Sequence, residues 1–203
     1  MNNIDNFFSR NPLDFADKYL AYLSKVIEKI NPNEISNFIS MLIEIKEKNA
    51  QVFFIGNGGS AATSSHFAND LAIGINDYSK PLRVTSLTDN VPVITAIAND
   101  FSYKEIFSRQ LMVLANEGDM LVAISASGNS ENLIEAVEYA NSNKIKTLAI
   151  TSFDGGKLKS LSDHSIHIPT DYGEYGPAED AHMIIDHLVG SFLMRFFKSD
   201  LNN

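Results

Sequence analysis

Apolar residues recur at helical spacing along the start of the chain: Phe15, Tyr19, Leu20, Leu23, Val26, Ile27 and Ile30, then, after Asn31-Pro32-Asn33, Ile35, Phe38, Ile39, Leu42 and Ile45. Each set lines one face of a 3.6-residue period, so the pattern predicts an N-terminal hairpin of two helices. After Asn49 the period changes. Short, nearly continuous apolar runs follow at Val52-Phe53-Phe54-Ile55, Leu82-Arg83-Val84-Thr85-Ser86-Leu87, Met120-Leu121-Val122-Ala123-Ile124, Thr147-Leu148-Ala149-Ile150 and Ile166-His167-Ile168. Most read as strands of a parallel sheet buried on both faces. Helical stretches separate them near residues 61–74, 91–115 with a break at Asn99-Asp100, and 129–142. A last helix runs from about Pro177 to Lys198, carrying Met183, Ile184, Leu188, Phe192, Leu193 and Phe196. Alternating strand and helix predicts an α/β, doubly wound fold. No repeat or flexible linker divides the chain, so residues 1–203 are expected to form one domain, with the hairpin at 1–49 and the α/β core with its final helix at 50–203.

Composition narrows the function. With 44% hydrophobic and 20% charged residues, the chain has the make-up of an ordinary globular domain. No apolar stretch approaches the roughly 20 residues of a membrane span, and Met1-Asn2-Asn3-Ile4-Asp5 lacks a secretion pattern, so no membrane partner and a cytoplasmic location are expected. A net charge of -9 with no Lys/Arg run argues against nucleic acid. The absence of cysteine leaves any transition metal to the five histidines and the carboxylates.

Two turns carry the candidate chemistry. The first strand leads into Gly56-Asn57-Gly58-Gly59-Ser60-Ala61 and then a helix, so free backbone N–H groups and the positive end of the helix dipole converge on an anion site. The same turn fits a relaxed dinucleotide fingerprint through Gly56, Gly58 and Ala61, or it is glycine-rich for backbone shape alone. The third strand ends in Ser125-Ala126-Ser127-Gly128-Asn129-Ser130 before another helix. A single serine there reads as a helix cap. Together with Ser60, however, the three serines offer four neutral hydroxyls to one anion, which a dinucleotide would leave unused. The acidic residue that a dinucleotide site needs about 20 positions after its glycine turn is also missing, and Asp89 lies too far on. A phosphorylated sugar is therefore preferred. His66 and Asp70, four apart, share a helix face suited to a metal or to an acid/base pair. The last helix carries Glu179, His182, Asp186 and His187; for His182 and Asp186 a solvated face is an equal reading. His164 and His167 flank the last strand and are assigned no role.

These residues resemble the sugar isomerase (SIS) domain family and, within it, the phosphoheptose isomerases that act on sedoheptulose 7-phosphate. The likeness is carried by Gly56-Asn57-Gly58-Gly59-Ser60 leading to His66-Phe67-Ala68, by Ala96-Ile97-Ala98-Asn99-Asp100-Phe101, by Ser125-Ala126-Ser127-Gly128-Asn129-Ser130, by residues 151–156, and by His182 with His187. The resemblance implies a flavodoxin-like five-stranded parallel sheet and a homotetramer with sites at subunit interfaces. Phosphate would be held by Ser60, Ser125, Ser127 and Ser130, with Asn57 and Asp100 near the sugar. Gly58, Gly59, Ala126 and Glu179 fall in the same implied substrate site. Zinc is implied on His66, Asp70, Glu179 and His187. The roles expected are Asp70 as base and His187 as acid, in an aldose–ketose isomerase that feeds surface polysaccharide synthesis. Three positions depart from the family pattern: Asp70 for a Glu, Gly74 for an Arg, and Glu179 for a Gln. A sugar-phosphate-binding or regulatory protein of the same fold, and an isomerase of another sugar phosphate, are the alternatives.

Overall fold

The computed structural model describes residues 1–200 and, at the end of the last helix, no side chains beyond Lys198. Helices α1 (Asn3–Phe7), α2 (Pro12–Glu28) and α3 (Pro32–Glu47) precede β1 (Gln51–Gly56), α4 (Gly59–Asn69), β2 (Arg83–Ser86), α5 (Val91–Asp100) and α6 (Ser108–Leu114). Then come β3 (Met120–Ser125), α7 (Glu131–Ser142), β4 (Lys146–Ser152), α8 (Gly156–Leu161), β5 (His164–Ile168) and α9 (Tyr175–Asp200). The five strands are all parallel in the order β2-β1-β3-β4-β5. The doubly wound α/β expectation holds.

Side-chain alternation divides the core in two. Val52 and Phe54 of β1, Met120, Val122 and Ile124 of β3, and Leu148 and Ile150 of β4 point to one face. There they meet Phe38 and Leu42 of α3, Phe67 of α4, and Ala181, Ile185, Val189 and Leu193 of α9. Phe53, Ile55, Leu121, Ala123 and Ala149 point to the other, against Leu111, Leu133, Val137 and Leu158 of α6, α7 and α8. This is the period-two arrangement of a sheet covered on both sides, and it explains why the strands read as continuous apolar runs.

Several boundaries differ from the expected ones for local reasons. Asn31 caps α3, accepting from Asn33 N at 3.0 Å with Pro32 in the first turn, so the helix starts before its first apolar residue. Asn11 does the same for α2 ahead of Pro12. The expected break at Asn99-Asp100 lies further on, because α5 continues through Asp100 and a short 3₁₀ turn at Tyr103–Glu105 separates it from α6. β2 is shorter than its apolar run, since it pairs only with β1 and Leu82 and Leu87 are buried beyond its ends. The stretch near 61–74 is helical throughout, as expected, but changes type: α4 ends at Asn69 and continues directly into a π-helical turn, Asp70–Gly74. No described helix is long and apolar enough to cross a membrane.

Candidate active site

Both chemistry-bearing turns lie at the carboxyl edge of the sheet, where its winding reverses between β1 and β3. Gly56 at the end of β1 pairs in register with Ile124, so the turn at 57–59 faces the one at 126–130. Asn57 and Asn132 lock the two together through reciprocal amide hydrogen bonds of 2.9 Å, and the Tyr103 hydroxyl donates to Asn57 Oδ1 at 2.9 Å. A Cβ on Gly128 would strike the Gly155 carbonyl, so this turn is held by close backbone packing as well as by its left-handed φ of 65°.

The serines have capacity left for a ligand. Ser130 is the N-cap of α7, yet its side chain makes no capping bond, contrary to the simple cap reading. Ser125 Oγ accepts from Gly128 N at 3.1 Å and Ser127 Oγ from Asn129 N at 3.3 Å. Accepting leaves each hydroxyl its own proton to donate. Ser60 lies in the first turn of α4, where backbone N–H groups are free of helical partners. Asp100 ends α5 exposed, accepting from Asn99 Nδ2 at 2.8 Å, and Tyr103 rather than Asp100 reaches the Asn57 amide. Nothing in the sequence singled out Tyr103, because only the turn after α5 brings it back over the sheet edge.

α4 and α9 both start at this edge and run side by side in the same direction. At the first rung Glu179 lies against Gly59, closely enough that a Cβ on Gly59 would collide with its carboxylate. Lower down, His66 Nε2 is 3.3 Å from His187 Nε2, and Gly190 lies beside Asp70. Burial, followed by neighbouring Asp180, raises the Glu179 carboxyl above its ordinary range.

The second rung gathers four ionisable groups. His66 Nε2 stands 3.6 Å from Asp70 Oδ2 and 3.8 Å from Asp186 Oδ2, and all four ligand atoms of His66, Asp70, Asp186 and His187 lie within 4.8 Å of one another. Asp70 opens the π-helical turn, and such turns often mark functional positions. Asp186 and His182 are not on a solvated face: both are fully buried. They lie beside Ile185 and Ala181 on a helix covered by α4 as well as by the sheet, and helical periodicity cannot reveal a second covering element. Burial and then the Asp70 carboxylate push Asp186 up to about 7. Burial brings His182 down to about 4, and its Nε2 lies 3.2 Å from Ser152 Oγ. Below this rung a cleft of about 420 Å³ is bounded by Asp70, Gly74, His187, Gly190, Ser191 and Met194. A glycine at 74, in place of the arginine expected from the resemblance, leaves the cleft open.

Within one chain, then, the structure joins Asn57 to Asn132 just beyond the serine turn, and His66 and Asp70 with His187. It sets Glu179 at the cradle end, about 12 Å along the helix axis from His187, and it adds Asp186 to the lower group.

Known proteins match this arrangement over most of the chain. The family model described as SIS domain matches residues 14–152. The phosphoheptose isomerase of Helicobacter pylori strain P12 is 36% identical over 183 residues, covering 89% of this chain and 94% of that one. Among solved structures, the phosphoheptose isomerase of Neisseria gonorrhoeae superposes with a TM-score of 0.79 at 28% identity, over 88% of this chain and 96% of that one. That of Francisella tularensis does so with a TM-score of 0.80 at 27% identity, over 90% and 98%. Strand order, phosphate-type turns and similarity along nearly the whole length agree: the chain belongs to the SIS-domain family, among its phosphoheptose isomerases.

Proposed function

We propose that the chain interconverts the ketose and aldose forms of a sugar phosphate, with sedoheptulose 7-phosphate as the substrate. The observation that carries this reading is the shared pair of helices. α4 and α9 begin beside a hydroxyl-lined anion cradle, and six residues beyond Ser60, about 9 Å along the axis, His66 starts the acid/base group. A sugar anchored by its phosphate would present its carbonyl end at a distance from the cradle, where such a group is needed.

Ser60, Ser125, Ser127 and Ser130 donate to the phosphate, together with the free N–H groups at the starts of α4 and α7. Asp70 removes a proton from the hydroxyl-bearing carbon next to the carbonyl, and the carbonyl oxygen gains a proton from His187, which makes an enediol. Protonation of the former carbonyl carbon and loss of the neighbouring hydroxyl proton complete the aldose. His66, Asp70 and His187 would hold zinc, a cation suited to imidazole and carboxylate ligands. It would supply polarisation of the substrate oxygens.

The reading includes a homotetramer with sites shared between subunits. Leu188, Phe192 and Phe196 on α9 remain substantially exposed beside His187, an apolar stripe that a neighbouring subunit would cover. Light scattering that found only monomer at micromolar concentration would contradict this part.

Hydrogen–deuterium exchange at the carbon next to the carbonyl, followed by NMR across a panel of ketose phosphates, tests the catalytic reading. Exchange with sedoheptulose 7-phosphate is expected. Binding without exchange of any sugar, with or without zinc, would replace the enzyme with a sugar-phosphate-binding protein.

A further inference from the structure

The Asp186 carboxylate is fully buried, and neither of its oxygens has a hydrogen-bond partner. An unsatisfied buried carboxylate is costly, and such groups are normally paired or bound to a metal. It is aimed at the imidazole of His66, with Oδ2 3.8 Å from Nε2, and it sits beside a second carboxylate, Asp70, rather than a lysine or arginine. The two histidines supply an independent pointer. Their Nε2 atoms face one another at 3.3 Å, and two nitrogens bound at about 2.0–2.1 Å to one tetrahedral zinc also stand about 3.3 Å apart. The edges of 3.6 and 3.8 Å from His66 to the two carboxylates need to close by only a few tenths of an ångström to match, whereas His187 stands more than 4.0 Å but within 4.8 Å of both carboxylates and would have to move closer to them.

We infer that this chain completes a divalent-cation site by itself, with Asp186 as the fourth ligand beside His66, Asp70 and His187, and with Glu179 outside it. The donor set is two imidazoles and two carboxylates, which suits zinc and cobalt(II) and is too rich in nitrogen for magnesium or calcium. It differs from the ligand set implied by the family resemblance, in which position 179 completes the site. Two carboxylates balance the double charge of the cation, so bound metal turns an unfavourable anionic pair into a neutral cluster. Glu179, at the opposite end of the α4–α9 pair, is left beside the phosphate cradle. The inference deepens the isomerase reading, in which a substrate oxygen would reach the cation as a fifth ligand or by displacing one carboxylate, but it does not require turnover, since a cation would bind here in a chain that only bound sugar.

The experiment is direct cation binding to the full-length protein, freed of metal by chelator: calorimetric titration with zinc, and cobalt(II) absorption to report a four-coordinate site. One ion per chain is expected, with a tetrahedral cobalt spectrum. Asp186→Asn should weaken zinc by 10-fold or more and shrink the zinc-induced rise in melting temperature, whereas Glu179→Gln should change affinity by no more than about twofold. The metal-free Asp186→Asn protein should melt cooperatively within a few degrees of the metal-free parent, because the amide has the shape of the buried carboxyl, and this separates lost ligation from lost folding. Full zinc affinity in Asp186→Asn, a loss in Glu179→Gln as large as in Asp186→Asn, or no binding by the unmodified chain would each overturn the inference. None of these outcomes depends on sugar turnover, which the exchange assay reads separately.

Discussion

At its start, α4 offers a ligand backbone N–H groups and neutral hydroxyls; two turns later it offers an imidazole and a carboxylate, set against a second, buried carboxylate. The upper region is complete without its ligand, since the free groups of the cradle can be hydrated and its shape is held by the Asn57–Asn132 pair and by packing between the turns. The lower region is not. Asp186 has lost its water and gained no donor, and its nearest charged neighbours include another acid. In a chain of net charge -9, the difference shows how an acidic protein can hold an anionic substrate. On the proposed reading, recognition is left to local dipoles, whose reach is short, and concentrated negative charge is kept about 9 Å down the helix, where a cation or a migrating proton would use it.

The largest expected effect would break the upper half alone. Replacing Ser127 and Ser130 together by Ala removes two hydrogen bonds to a charged group, each worth about 1.5–3 kcal/mol, so sugar-phosphate affinity should fall by about 100-fold or more while the melting temperature barely moves. Unchanged affinity by calorimetry would remove the cradle. Next in size is the lower half. Asp70→Asn preserves shape but not basicity, and His187→Ala removes the proposed acid; each should lower turnover by about 100-fold. Substrate binding should survive better than turnover, because the serines are untouched. If KM rose in proportion while kcat held, the two regions would not divide binding from chemistry as described.

The smallest effect sharpens the comparison by probing the buried face that both regions share. His182 is held neutral by burial, with its pKa lowered from 6.5 to about 4. The unfolded chain therefore binds a proton that the folded chain refuses between those values. This stability is fully present above about pH 6.5 and is lost as pH falls toward about 4, amounting to on the order of 1 kcal/mol near pH 5.5. In urea melts, the parent should lose about that much more stability than His182→Gln as pH falls from about 7.5 to 5.5. Parallel pH profiles would show that His182 takes up its proton without cost.

The strands, the two turns at the sheet edge and the hairpin were legible in the sequence because each is a local pattern. Val52-Phe53-Phe54-Ile55 followed by Gly56-Asn57-Gly58-Gly59-Ser60 specifies a buried strand, a tight turn and a helix start within one stretch of chain, and the serine turn repeats that logic. His66 and Asp70 were also recognisable, since four-residue spacing places them on one helix face. What the sequence alone did not determine was which polar positions on α9 would be covered. Helical periodicity reports one buried stripe, but α9 is packed by the sheet on one side and by α4 on another, so His182 and Asp186 are interior although they look like part of a charged face. The rung pairing was likewise decided only by tertiary structure: Glu179 lies against Gly59, and His187 against His66, because two helices more than a hundred residues apart in the chain start at the same sheet edge and run in the same direction. That alignment depends on the order of strands across the sheet, which is set by long-range packing that no local window contains.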